Sequence, residues 1–140
     1  MADFNKLYDF DEELADKGAK MIVGPNPEED YVFVRRIPNP EYQRELDRVL
    51  QANHKVLEYS KQQDPKKYEE LNGKLLAGVI AKTVITGWGV VKLDGKTLKF
   101  NVKNATLLLT RYPEFRGDLI DFGRDRNNYP AKVDVDEVKK

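Results

Sequence analysis

Between Leu75 and Thr86 the only polar side chains are Lys82, Thr83 and Thr86. A helix with that pattern is apolar nearly all round, so it is either buried on most sides or becomes buried when a partner arrives. Its first turns, from Pro65 onward, are polar and follow an Asp64 able to cap them. Gly87 fits the left-handed position that closes helices. Gly73 and Gly78 each cost such a helix about 1 kcal/mol relative to alanine, and their expected use is close approach of another backbone.

Upstream, Asn39-Pro40-Glu41 is a helix start, with a capping side chain, a proline at the first position and a carboxylate at the positive end of the dipole. Tyr42, Leu46, Val49, Leu50, Asn53, Val56 and Leu57 then form one helical stripe, with Arg44, Asp47, Arg48 and Lys55 on other faces. One long amphipathic helix is predicted from there to Gln63. Lys20–Val23 and Tyr31–Ile37 are β-rich runs around Gly24-Pro25-Asn26-Pro27 and read as a hairpin with a wide loop. Residues 1–18 carry a weaker helical pattern (Leu7, Phe10, Leu14) that Gly18 would end.

Downstream, Val90–Leu93 and Lys96–Phe100 flank Asp94-Gly95, a strong signal for a type I′ hairpin. Asn101 can cap a short helix carrying Ala105, Leu108 and Leu109, and Pro113 opens a last one carrying Phe115, Leu119, Ile120 and Phe122. The predicted class is α+β and mainly helical, with two long helices, two β-hairpins and two short C-terminal helices. The expected organisation is an acidic arm over 1–30, a single globular domain over 31–128 and a flexible tail over 129–140.

Charge changes this picture in one respect. The 140 residues are neutral overall, yet residues 1–30 sum to −6, residues 31–99 to +5 and the remainder to +1. The acidic arm either docks on the basic body or is a solvated leader. Neutrality gives no support to a nucleic-acid or membrane partner. No apolar run approaches bilayer length and the N-terminus is acidic, so a soluble, intracellular protein is expected. There is no cysteine, which excludes disulfides and thiolate metal sites.

Candidate chemistry is sparse. His54 and Ser60 are the only histidine and serine, both within the predicted first long helix and without an elbow motif or a partner base. Gly87-Trp88-Gly89 lacks the further glycine and strand-then-helix context of a phosphate loop. Asp134, Asp136 and Glu137 lack the glycine and distal glutamate of a calcium loop. Asp118, Asp121 and Asp125 share a helix face, where ion pairing with Arg124 and Arg126 is the expected arrangement. No enzyme activity, metal or cofactor is expected. A winged-helix reading would make Leu75–Thr86 a recognition helix, but one lysine and no arginine leave it little with which to reach phosphates or base edges. The expected contact surface is instead apolar: Leu75, Leu76, Val79, Ile80, Val84 and Trp88, with ordinary core packing as the competing reading.

The succession Ala81–Trp88, Asp94-Gly95, Asn104–Leu109, Pro113–Phe115 and Asp118–Asn128, preceded by Arg36-Ile37-Pro38-Asn39-Pro40-Glu41-Tyr42, resembles the tail assembly chaperones of tailed bacteriophages across residues 33–128. That resemblance implies a scaffold in the host cytoplasm that binds the tape measure protein, keeps it soluble and recruits tail tube subunits, with self-association as a further possibility. A structural virion protein of the tail or head–tail connection is the alternative, and a small nucleic-acid-binding or host-interfering phage protein comes third.

Overall fold

The computed structural model describes residues 1–132. Among them lie α1 (Phe4–Tyr8), α2 (Glu12–Lys17), β1 (Ala19–Ile22), β2 (Tyr31–Val34), α3 (Pro40–Ala52), α4 (His54–Gln63), α5 (Pro65–Thr83), β3 (Ile85–Trp88), β4 (Val91–Leu93), β5 (Lys96–Leu98), α6 (Val102–Arg111) and α7 (Pro113–Arg124). The chain is α+β and mainly helical, as its pattern predicts. Three antiparallel strands in the order β1-β2-β3 form one sheet and β4-β5 a separate hairpin.

Local signals set most helix starts. Asn39 accepts a hydrogen bond from the Tyr42 amide (2.9 Å), Asp64 from that of Lys67 (3.2 Å) and Asn101 from that of Asn104 (2.7 Å), so three capping side chains satisfy orphan donors. Prolines follow two of these caps, at Pro40 and Pro65, and Pro113 opens α7. Asp94 (φ 52°) and Gly95 (φ 78°) both adopt the positive φ that a type I′ turn requires.

The predicted first long helix is two. The Asn53 side-chain amide donates to the Val49 carbonyl (2.8 Å), and the chain breaks there between α3 and α4. Asparagine competes locally for helix carbonyls, which is the physical reason. The break changes the buried face: Leu57 and Ser60 point inward, while Leu50 and Val56, part of the predicted stripe, are exposed.

The end of α5 also differs from the predicted pattern. Val84 ends the helix, and Ile85–Trp88 run as strand β3 against β2 rather than as a helical end with a left-handed Gly87. The β-branched pair Ile85-Thr86 suits the strand, and the Thr86 hydroxyl donates to the Lys17 carbonyl (2.7 Å). The first hairpin is therefore two strands of a three-stranded sheet. The predicted glycine contacts also differ: a side chain at Gly73 would meet the Arg116 guanidinium, and Gly78 faces open space. The close backbone approach is instead at Gly89, where a Cβ would collide with the Glu29 carbonyl oxygen.

The core gathers Val32, Val34, Ile37, Ala77, Val79, Ile80, Ala81, Val84, Ala105, Leu109 and Leu119 around α5. Met21 of β1 belongs to it as well, so the first thirty residues are not merely a leader. A smaller cluster joins Ala15 and Ala19 to Tyr129, which is fully buried, so the ordered fold extends past the expected start of the tail. The Tyr129 hydroxyl donates to the Val34 carbonyl (2.7 Å), Phe10 bridges Pro130, and the Asp11 amide bonds the Tyr129 carbonyl (3.0 Å). The segments around Phe10 and Tyr129 thus meet beside β2. Residues 133–140, including Asp134, Asp136 and Glu137, lie outside the described residues.

Two outcomes are expected. Gly95→Val places a β-branched residue at φ 78° and should lower stability by about 1 kcal/mol or more, read as a lower melting temperature; an unchanged melt would contradict the turn. Burial pushes the Tyr129 phenol pKa above its ordinary 10.0, so its contribution is complete below about pH 10 and is lost as pH rises through the raised folded-state value. Tyr129→Phe should cost about 1–3 kcal/mol by stranding the Val34 carbonyl. It should also flatten the alkaline limb of denaturant midpoints against pH.

Candidate protein-binding groove

The predicted contact residues are mostly inside. Val79, Ile80 and Val84 are fully buried, and Leu75, Leu76 and Trp88 are half-buried. Their cover comes from α3, α4 and α6, which pack along α5. Trp88 is a plug: its indole N–H donates to the Leu98 carbonyl (3.1 Å) and its ring meets Phe100 edge-on at 5.1 Å. An all-round apolar pattern fits a covered helix and an exposed one equally well, and here core packing occupies the face.

Among the described residues, an open groove of about 850 Å³, part apolar and part acidic, lies between β1 and α7. Met21, Phe115 and Phe122 form its inner part, and Ile22, Val23 and Tyr112, each a little under half exposed, form its rim. Met21 and Ile22 point to opposite faces of the sheet, yet both line the groove, so it runs along the strand's edge. Among the described residues β1 pairs only with β2, which leaves that edge without a strand partner.

The opposite wall is acidic. Glu114, Asp118, Asp121 and Asp125 recur at i, i+4, i+7 and i+11 along α7 and its C-cap, over about 16 Å at 1.5 Å per residue. None forms an ion pair among the described residues; the expected pairing with Arg124 and Arg126 is not what the structure has. Arg126 instead lies over the Tyr8 ring (5.0 Å), and Asp125 accepts from the Asn127 amide (2.9 Å). A groove of this kind offers backbone hydrogen bonds, apolar contact and a negative field together. Its signal in sequence was the acid spacing on the last helix; the strand edge beside it is a tertiary fact.

Arg35 and Glu13, by contrast, are committed to the fold. Arg35 donates to the Thr83 carbonyl (2.9 Å), Asp16 (2.8 Å) and Glu41 (3.0 Å), tying α5, α2 and α3. Glu13 accepts from Lys17 (2.6 Å) and Lys132 (3.1 Å), and these cations hold its pKa down to about 2. His54 is exposed at the start of α4 while Ser60 is buried six residues on, well round the helix from it. Among the described residues no cluster of three or more His, Asp or Glu side chains stands ready for a metal.

The model of a family described as the YdaY prophage protein matches residues 37–140. The chain belongs to the YdaY prophage protein family. It is therefore phage-derived. No curated protein and no solved structure matches. The YdaY match takes in α3 through α7, including the acidic wall of the groove, while β1 and its open edge lie upstream of it.

Because α5 is core, Val79→Asp or Ile80→Asp should bury an uncompensated carboxylate and destabilise the whole domain by several kcal/mol. Circular dichroism should show helicity lost with the tertiary transition; a well-folded Ile80→Asp variant would contradict the burial described.

Proposed function

We propose that this YdaY family protein is a non-catalytic tail assembly chaperone, which binds the tape measure protein in the host cytoplasm and helps recruit tail tube subunits. Phage origin and the resemblance across residues 33–128 supply the setting. The observation that carries the reading is the groove between β1 and α7, where an apolar floor, an unpaired strand edge and a row of carboxylates remain available to another protein. A chaperone for a long apolar client needs such a surface, with charge around it to limit indiscriminate collapse.

Co-expression with the tape measure protein of the same phage tests this. The wild-type chain should keep the client soluble and co-purify with it. Ile22→Glu and Tyr112→Glu alter exposed rim positions and should leave the fold intact while weakening the complex at least about tenfold, or about 1.4 kcal/mol. A client that stays insoluble with the wild type would overturn the chaperone reading. Full binding by both folded variants would overturn the groove as its contact.

A further inference from the structure

The groove has a counterpart on the same molecule. β4 and β5 form a two-stranded hairpin with, among the described residues, no further strand on either side. Lys92 and Lys96 are exposed on it, and Lys99 and Lys103 follow directly. The hairpin's one carboxylate, Asp94, is held by the Arg111 guanidinium through two hydrogen bonds (3.0 and 3.3 Å). None of the four lysines forms an ion pair among the described residues, so the hairpin presents unneutralised positive charge. Val90, nearly half exposed, adds an apolar contact just before β4.

These two surfaces belong to different ends of the sheet. β1, with the acidic groove, is one edge strand; β3, the other, leads through Gly89-Val90 into the hairpin. A strand edge lined by Glu114, Asp118, Asp121 and Asp125 and a lysine-bearing strand with an open edge are complementary in hydrogen bonding and in charge. We infer that the groove of one copy takes the β4–β5 hairpin of a second copy. The contact is head-to-tail, so a pair of copies keeps one free groove and one free hairpin between them and association continues into rings or filaments. This goes beyond the chaperone reading and does not depend on it, since no client enters the argument or the test.

Two double variants test it by sedimentation velocity and light scattering at low ionic strength, with circular dichroism to verify the fold. Asp118→Lys with Asp121→Lys reverses the groove; Lys92→Glu with Lys96→Glu reverses the hairpin; all four positions are exposed. The wild type should at least double its weight-average mass as concentration rises, and should return to monomer near 1 M salt, where charges are screened beyond about 3 Å. Each variant alone should remain monomeric. Mixed together they should assemble again with the two chains alternating, because the intact groove meets the intact hairpin and the reversed groove meets the reversed hairpin. If reversal unfolds either chain, Asp118→Asn with Asp121→Asn and Lys92→Gln with Lys96→Gln replace them, and each should weaken wild-type assembly at least about tenfold. A wild type that is monomeric at every concentration would overturn the inference. So would a mixture that does not pair, or assembly that survives reversal of the hairpin, which would assign the groove to a different segment of the second copy.

Discussion

Most of the architecture follows from the need to bury α5. Its residues Ala77, Val79, Ile80 and Ala81 are essentially inaccessible, and full burial of a valine or isoleucine stabilises by about 1.5–3 kcal/mol. No single neighbour can cover a helix that is apolar on most sides. α3 and α4 lie along it, α6 packs on it and β3 continues from it into the sheet. Its C-terminal carbonyl at Thr83 takes donors from both Arg35 (2.9 Å) and Asn39 (3.2 Å), so the end of the central helix, the cap of α3 and the exit of β2 meet at one atom. Arg35 also reaches Asp16 and Glu41, which brings the N-terminal segment to the same place.

That arrangement separates what could be read along the chain from what could not. Caps at Asn39, Asp64 and Asn101, the proline at 113 and the Asp94-Gly95 turn act over a few residues and were legible as local chemistry. The break at Asn53 depends on one side-chain amide winning a helix carbonyl, which periodicity cannot reveal. Ile85–Trp88 continues an apolar run without interruption, and only pairing with β2 makes it a strand. Tyr129 sits in a polar stretch that reads as tail, yet its ring is buried and its hydroxyl reaches a carbonyl 95 residues away in sequence.

The functional surface illustrates the same division. Apolar character drew attention to Leu75, Leu76, Val79, Ile80, Val84 and Trp88, and the fold uses most of that character internally. The groove between β1 and α7 is assembled from residues a hundred positions apart, each unremarkable alone. Zero net charge conceals a further asymmetry, with carboxylates collected beside an open strand and lysines collected on a hairpin. Such a distribution serves recognition between chains more directly than it serves the stability of one.

Native-state hydrogen exchange tests the organising role of α5 most directly. The account predicts that the amides of Ala77–Val84 are among the slowest in the chain and exchange only through global unfolding, with a free energy matching denaturant unfolding. Exchange of that segment through local opening, at a free energy well below the global value, would mean that α5 is a detachable surface helix and would contradict the account.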